Sequence, residues 1–73
     1  MKAVIWSKDG CTFCEQAKNL LKTKGIAYEE RSLSNGYTKE QLLEAVPNAR
    51  TVPQIFLNGE LIGGFSELTK YLI

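Results

Sequence analysis

The sequence predicts an α/β fold with the order β-α-β-α-β-β-α, in which a mixed four-stranded sheet carries helices on both faces. Three observations support this prediction: an apolar run followed by a helical pattern begins the chain, a second strand–helix pair follows, and two apolar segments joined by Asn58 and Gly59 come near the end. Strands joined by a helix are expected to be parallel with a right-handed crossover, whereas a hairpin adds an antiparallel pair.

The chain is short enough for one domain only. It has 73 residues, and chains near this size bury only about 60% of the surface that the unfolded chain exposes. We therefore expect a single domain over residues 1–73. The formal net charge is +1, with cations and acids interspersed. This pattern gives no basic face for nucleic acid and no polybasic patch for a membrane, so neither partner is expected.

The first strand and the first helix lie on either side of a pair of cysteines. Residues 2–7 form a short apolar run with β-branched side chains, which predicts a strand buried on both faces. A helical pattern follows over about residues 12–24, and Gly25 is its expected C-terminal cap. The apolar side of this helix is predicted to consist of Cys14, Ala17, Leu20 and Leu21.

A second strand and a second helix follow. Residues 26–33 predict a weaker strand, polar in its second half, which we place at an edge of the sheet. Thr38 and Gln41 have the spacing of a capping box, so a helix is expected to begin there and to end at Pro47. Its buried side is predicted to consist of Leu42, Leu43 and Val46.

The last part of the chain predicts a hairpin and a short helix. Residues 53–62 are two apolar segments joined by Asn-Gly, the pair that a type I′ turn favours. Two glycines then bend the chain, and Ser66 is expected to be the N-cap of the last helix. The apolar side of this helix is predicted to consist of Leu68, Tyr71 and Leu72.

Cys11 and Cys14 form a Cys-x-x-Cys unit between the first strand and the first helix. The unpaired N–H groups of a first helical turn stabilise negative charge on sulfur, so we interpret Cys11 as the nucleophile. Cys14 lies one turn further on, where a Cα separation of about 4.4–6.8 Å permits a disulfide, so we interpret it as the resolving thiol. The pair predicts redox catalysis.

Metal binding and a structural disulfide are the alternatives for this pair. A mononuclear zinc site takes four ligands, and the chain has no His and only two Cys, so metal would need a second chain or an external thiol. A structural disulfide gains stability by closing a long loop, and the Cys-x-x-Cys loop is among the shortest.

The start of the chain bears on its compartment. It becomes charged at Lys8 and Asp9, before an apolar signal-peptide core of about 7–15 residues could form. Cysteine pairs in the reducing cytosol are usually transient and catalytic. We therefore expect a cytoplasmic protein.

Three motifs occur in one order along nearly the whole chain: Lys8-x-x-Cys11-x-x-Cys14, Thr51-Val52-Pro53 and Gly63-Gly64-Phe65-Ser66. Together they resemble the glutaredoxins, small proteins of the thioredoxin fold, and are most similar to the short bacterial or phage type. The resemblance implies a glutathione-dependent thiol–disulfide oxidoreductase that reduces protein disulfides and glutathionylated substrates. It also implies glutathione as co-substrate, no permanently bound cofactor or metal, and a monomer.

The resemblance assigns roles around the cysteine pair. It implies a cis Val52–Pro53 bond, which leaves the N–H and C=O of Val52 free to pair with the cysteine backbone of glutathione. It places the γ-glutamyl carboxylate at the N–H groups that begin the last helix, where the glycines leave room for a ligand, and the glycine carboxylate near Lys8. The implied glutathione-binding residues are Lys8, Phe13, Thr51, Val52, Pro53, Gly64, Phe65 and Ser66.

The sequence departs from the family at Thr12, where the commonest family motif has proline. Thr12 adds a hydroxyl and an N–H donor near the Cys11 sulfur, and we expect it to change the redox potential. Some glutaredoxins without that proline hold an iron–sulfur cluster between two subunits, so a dimeric cluster carrier is one alternative function. A redoxin recycled by thioredoxin reductase is the other.

The resemblance suggests ribonucleotide reductase as one protein substrate. It does not place the basic or amide residue that many relatives carry on the second helix, and it gives Arg50 no contact.

Overall fold

The helices and strands follow one another in the predicted order β-α-β-α-β-β-α. The structure is a computed structural model and describes residues 1–72; Ile73, which belongs to the predicted domain, lies outside them. The elements are β1 Lys2–Ser7, α1 Thr12–Thr23, β2 Ala27–Ser32, α2 Lys39–Ala45, β3 Gln54–Leu57, β4 Glu60–Gly63 and α3 Phe65–Leu72. Within residues 1–72, no helix has both the length and the apolar character needed to cross a membrane.

The four strands form one mixed sheet in the order β2-β1-β3-β4. β1 is parallel to β2, with Lys2 opposite Ala27 and Ser7 opposite Ser32, and is antiparallel to β3. β4 pairs antiparallel with β3. β2 therefore lies at an edge, as its polar sequence predicts, and the carboxyl end of central β1 leads directly to the cysteines.

Two hydrophobic clusters lie on opposite faces of the sheet. Ala3 and Ile5 pack with residues of α1 and α3, including Leu21 and Leu68. Trp6 packs with Leu42 and other residues around α2. Alternate β1 side chains thus point to the two faces, which confirms the prediction of helices on both sides.

Local sequence patterns end the first helix and begin the second as predicted. Gly25 has a φ of 70°, and its N–H and that of Ile26 donate to the Lys22 and Leu21 carbonyls, the hydrogen bonds of a Schellman motif. The capping box of α2 is complete: the Gln41 N–H donates to Thr38 Oγ1 at 3.1 Å, and the Thr38 N–H donates to Gln41 Oε1 at 2.8 Å.

The hairpin has the predicted turn. Asn58 and Gly59 have positive φ values of 51° and 82°, as a type I′ turn requires. β3 begins at Gln54, one residue after Pro53, and a register irregularity lies between Ile55 and Phe56.

Two predictions for α3 are wrong. The helix begins at Phe65, so Gly64 rather than Ser66 occupies the N-cap position, and the Glu67 carboxylate accepts the Gly64 N–H at 2.8 Å. Gly64 has no side chain that could cap, so a residue one turn later supplies the acceptor. Tyr71 is not on the buried side; it is 55% exposed. At about 100° per residue it lies on the other side of Leu68 from Phe65 and Leu72, which pack on the core.

Candidate active site

Cys11 lies between β1 and α1 and is the N-cap residue of α1. Its backbone is extended, and its sulfur accepts the Cys14 N–H at 3.1 Å. The Cys11 carbonyl accepts the first intrahelical hydrogen bond, from the Glu15 N–H at 3.2 Å. The first turn of α1 therefore directs an N–H group at the Cys11 sulfur, as its sequence position predicts.

The two cysteines form a disulfide with their Cα atoms 5.2 Å apart. Their accessibility differs: Cys14 is completely buried, whereas Cys11 is only partly buried. An incoming partner can therefore reach the Cys11 sulfur far more easily than that of Cys14. This difference favours Cys11 as the first nucleophile and Cys14 as the resolving thiol.

The segment Thr51–Val52–Pro53 lies beside the disulfide. The Val52–Pro53 bond is cis, as the family resemblance implies. The Val52 carbonyl oxygen is 3.7 Å from Cys11 Sγ; this is a contact and not a hydrogen bond, since a sulfur in a disulfide carries no proton. Within residues 1–72 the Val52 N–H has no hydrogen-bond partner, so it remains available to an added strand.

A cavity of about 320 Å³, called here the α3 groove, lies between this segment and the beginning of α3. Every residue that the resemblance assigns to glutathione lines it, except Lys8. Phe13 is 60% exposed and stacks on Phe65 with ring centroids 6.2 Å apart. The full lining is Phe13, Thr51, Val52, Pro53, Gly64, Phe65, Ser66 and Glu67.

Glu67 also lines this groove, although the sequence did not predict it. A Cβ atom on Gly63 would lie 2.9 Å from Glu67 Cγ, so the room that this glycine leaves is taken by the Glu67 side chain rather than kept for a ligand. The spacing between Gly64 and Glu67 is that of an N-cap and its third helical residue, which is the sequence pattern that could have identified it.

A second cavity of about 230 Å³ adjoins the other side of the Thr51–Val52 segment. Three exposed cations, Lys8, Lys39 and Arg50, line what we call the cationic groove. Its apolar part is formed by Leu33, Leu42, Leu43 and Ala49. The structure thus places Lys8 at the opposite end of the site from α3. It also places Lys39 and Arg50 in the same groove as Lys8, which the sequence did not predict.

A third cavity of about 340 Å³ lies along α1 and contains Cys11, Thr12 and Lys8. Here a charged network, the Glu30 network, joins α1 to β2 and consists of Ser7, Glu15, Lys18 and Glu30. The Ser7 hydroxyl donates to Glu30 Oε2 at 2.7 Å, and Lys18 Nζ donates to the same oxygen at 3.0 Å. Lys18 also pairs with Glu15.

Hydrogen bonds shift the titration of this network. The Ser7 hydroxyl, followed by Lys18, holds the pKa of Glu30 below its ordinary value. Hydrogen bonds to Glu15 and then to Glu30 raise the pKa of Lys18. Glu30 and Lys18 are therefore both charged at neutral pH, and their ion pair links α1 to β2 beside the cysteine pair.

No resident metal site is evident in the part of the chain that the structure describes. No group of three or more His, Cys, Asp or Glu side chains there could hold an ion. A metal at Cys11 would therefore take most of its ligands from outside this part of the chain.

Comparison with known proteins gives consistent matches. The family model described as Glutaredoxin matches residues 3–62. Glutaredoxin 3 of Escherichia coli is 34% identical over 64 residues, which cover 88% of this chain and 77% of that protein. The hybrid peroxiredoxin hyPrx5 of Haemophilus influenzae is 45% identical over 67 residues, 92% of this chain, but the chain spans only 27% of its length.

A solved structure supports the fold. The crystal structure of a buckwheat glutaredoxin–glutathione complex superposes with a TM-score of 0.82 and 28% sequence identity, over 96% of this chain and 66% of the buckwheat chain.

Proposed function

Because this chain belongs to the glutaredoxin family of the thioredoxin-fold superfamily, we propose that it is a glutathione-dependent reductant of protein disulfides and glutathionylated substrates. The family and the Cys11–Cys14 pair support thiol–disulfide oxidoreductase activity. Dependence on glutathione is the part of the proposal that goes beyond this activity.

One observation carries that step: the backbone of Val52, with its free N–H, lies between Cys11 and a groove that ends at the N–H groups of α3. A tripeptide bound along this path would pair its cysteine backbone with Val52 and bring its sulfur to Cys11. The buckwheat relative in the superposed structure is a glutathione complex.

Charge gives the tripeptide a direction. The γ-glutamyl end of glutathione is a zwitterion, whereas its glycine end is a carboxylate alone. The α3 groove offers the N–H groups of Phe65 and Ser66 to a carboxylate and Glu67 to an ammonium. The cationic groove offers Lys8 and carries no acid. The γ-glutamyl end therefore fits the α3 groove and the glycine end fits the cationic groove.

For a glutathionylated substrate, the proposed reaction needs only one cysteine. The Cys11 thiolate, stabilised by the Cys14 N–H, attacks the glutathione sulfur, and the substrate leaves as a thiolate. A second glutathione thiolate then attacks the glutathione sulfur bound to Cys11. This step releases glutathione disulfide and restores the Cys11 thiolate.

For a protein disulfide, both cysteines take part. Cys11 attacks one substrate sulfur and displaces the other, Cys14 then attacks Cys11 and releases the substrate dithiol, and two glutathiones reduce the resulting Cys11–Cys14 disulfide. Ribonucleotide reductase remains a predicted protein substrate. The 45% identity to a protein named hybrid peroxiredoxin makes a peroxiredoxin disulfide a second one to test.

A coupled assay tests the proposed function. The oxidised protein is supplied with NADPH and either glutathione with glutathione reductase, or thioredoxin reductase, as the only reductant. We expect turnover of a glutathionylated peptide with glutathione alone. Turnover with thioredoxin reductase alone would replace this proposal with the redoxin alternative. A brown dimer on anaerobic purification with glutathione would instead favour the iron–sulfur carrier.

A further inference from the structure

The cationic groove is larger than the binding of one carboxylate requires. Its volume is about 230 Å³, several times the roughly 30 Å³ that one water molecule takes up in the liquid. The remaining space lies over apolar side chains, including Leu33, Leu42 and Leu43. The groove can therefore accommodate residues of a longer partner beyond a terminal carboxylate.

The charged side chains that line this groove have one sign. No Asp or Glu lines it, and within residues 1–72 none of its cations, Lys8, Lys39 and Arg50, forms an ion pair. The cavity along α1, which Lys8 also lines, differs, because Asp9, Glu15 and Glu30 line it as well. Since the net charge of the chain is only +1, the three cations are a local concentration, and such a surface attracts an anionic partner.

A protein substrate lacks the terminal glycine carboxylate with which glutathione would bind this groove. If a substrate chain follows the same direction as glutathione, the residues after its cysteine reach the cationic groove. The glycine carboxylate of glutathione becomes a neutral peptide group in a continuous chain, so its negative charge is lost there. Acidic side chains directly after the cysteine would restore it.

We propose that the cationic groove selects protein disulfides in which the reacting cysteine is followed, within two residues, by acidic side chains. The inference rests on the proposed function, because the direction of the substrate chain is that of glutathione. The acidic residues dock the substrate and take no part in the chemistry. Cys11 attacks the substrate disulfide, Cys14 displaces the substrate cysteine, and two protein thiols are oxidised for each disulfide reduced.

Single-turnover reduction of peptide disulfides tests this inference. The substrates are symmetrical disulfides of blocked peptides with one cysteine, followed by two Glu, two Gln or two Lys residues. The pre-reduced protein reacts with each in the absence of glutathione, and each rate is divided by the rate with dithiothreitol to remove differences in thiol reactivity. We expect the Glu peptide to react about fivefold faster than the Gln peptide and the Lys peptide to be the slowest, with smaller differences at high salt.

Charge-reversed variants test whether the cationic groove causes the preference for acidic peptides. The double variant Lys39→Glu with Arg50→Glu should reverse the order of the peptides. The double variant Lys24→Glu with Lys70→Glu is the matched control, because it reverses two charges at exposed residues that line none of the three cavities, and it should keep the order. The melting temperature of each variant verifies that it is folded.

The outcomes separate this inference from the proposed function. Equal rates for the three peptides with the unsubstituted protein, or an unchanged order in the double variant, would overturn the inference while glutathione still recycles the enzyme. Failure of glutathione to reduce the oxidised protein would overturn the proposed function itself.

Discussion

Cys11 and Cys14 share one helical turn but differ in exposure. The Cys11 sulfur accepts an N–H group and is partly accessible, whereas Cys14 is completely buried. A buried thiol reacts first with its neighbour rather than with a bulky partner. This difference in exposure supports the proposal that Cys11 attacks the substrate and Cys14 resolves the mixed disulfide.

Replacement of each cysteine tests this division of roles. Cys11→Ser should abolish the reduction of both glutathionylated peptides and protein disulfides, because the nucleophile is lost. Cys14→Ser should retain deglutathionylation and lose most reduction of protein disulfides, since only the second reaction needs a resolving thiol. Steady-state assays on both substrate types measure these effects. Equal loss of deglutathionylation in the two variants would contradict the assignment.

Glu67 caps α3, and in the proposed function its charge also attracts the ammonium of glutathione; a conservative substitution can separate the two. Glu67→Gln keeps an oxygen that can accept the Gly64 N–H but removes the charge that faces the α3 groove. We expect the KM for glutathione to rise about two- to fivefold, because a partly exposed ion pair with the γ-glutamyl ammonium is lost. Stability should change little. An unchanged or lower KM would mean that Glu67 does not attract the ammonium.

At the scale of elements, local patterns predict most of the fold. The capping box at Thr38, the glycine after α1 and the Asn-Gly turn each depend on neighbouring residues, so the sequence alone identifies them. Ser66 is wrongly predicted as a cap because the acceptor that caps α3, Glu67, lies three residues after the true N-cap. Serine often occupies an N-cap position, but here α3 begins directly after the two glycines, so Ser66 lies inside the helix.

The capping box of α2 is expected to contribute to the free energy of unfolding. Thr38→Ala should lower the free energy of unfolding by about 1 kcal/mol, because the Gln41 N–H loses its acceptor. Thr38→Ser keeps the hydroxyl and is the matched control, with a much smaller loss. Urea unfolding of the oxidised proteins measures both. A loss of equal size in the two variants would show that the threonine methyl group, and not the cap, is responsible.

At the scale of the whole molecule, packing brings distant segments together at the cysteine pair. The loop after β1, the segment before β3 and the beginning of α3 form the α3 groove and its surroundings. The family motifs predict this meeting. The grouping of Lys8 with Lys39 and Arg50 could not be predicted from the sequence, because it depends on how α2 packs beside the segment before β3.

The Glu30 network predicts how stability depends on pH. The pKa of Glu30 is lower in the folded protein than its ordinary value of 4.5, so its contribution is complete above about pH 4.5 and is lost as the pH falls through the folded pKa. We therefore expect Glu30→Gln to be less stable than the unsubstituted protein at neutral pH. The two should converge in strong acid, as urea unfolding across this range would show. Glu44→Gln, at an exposed residue with no ion pair within residues 1–72, is the control, and a difference independent of pH would contradict the prediction.

The glutathione path beside Cys11 is tested most directly by NMR of a trapped adduct. Cys14→Ser is isotope-labelled and treated with glutathione disulfide, so that Cys11 keeps one glutathione as a mixed disulfide. We expect adduct formation to shift the amide resonances of Val52, Phe65 and Ser66, and nuclear Overhauser contacts to place the γ-glutamyl protons near Phe65. An adduct that forms at Cys11 but leaves these resonances unchanged would contradict it.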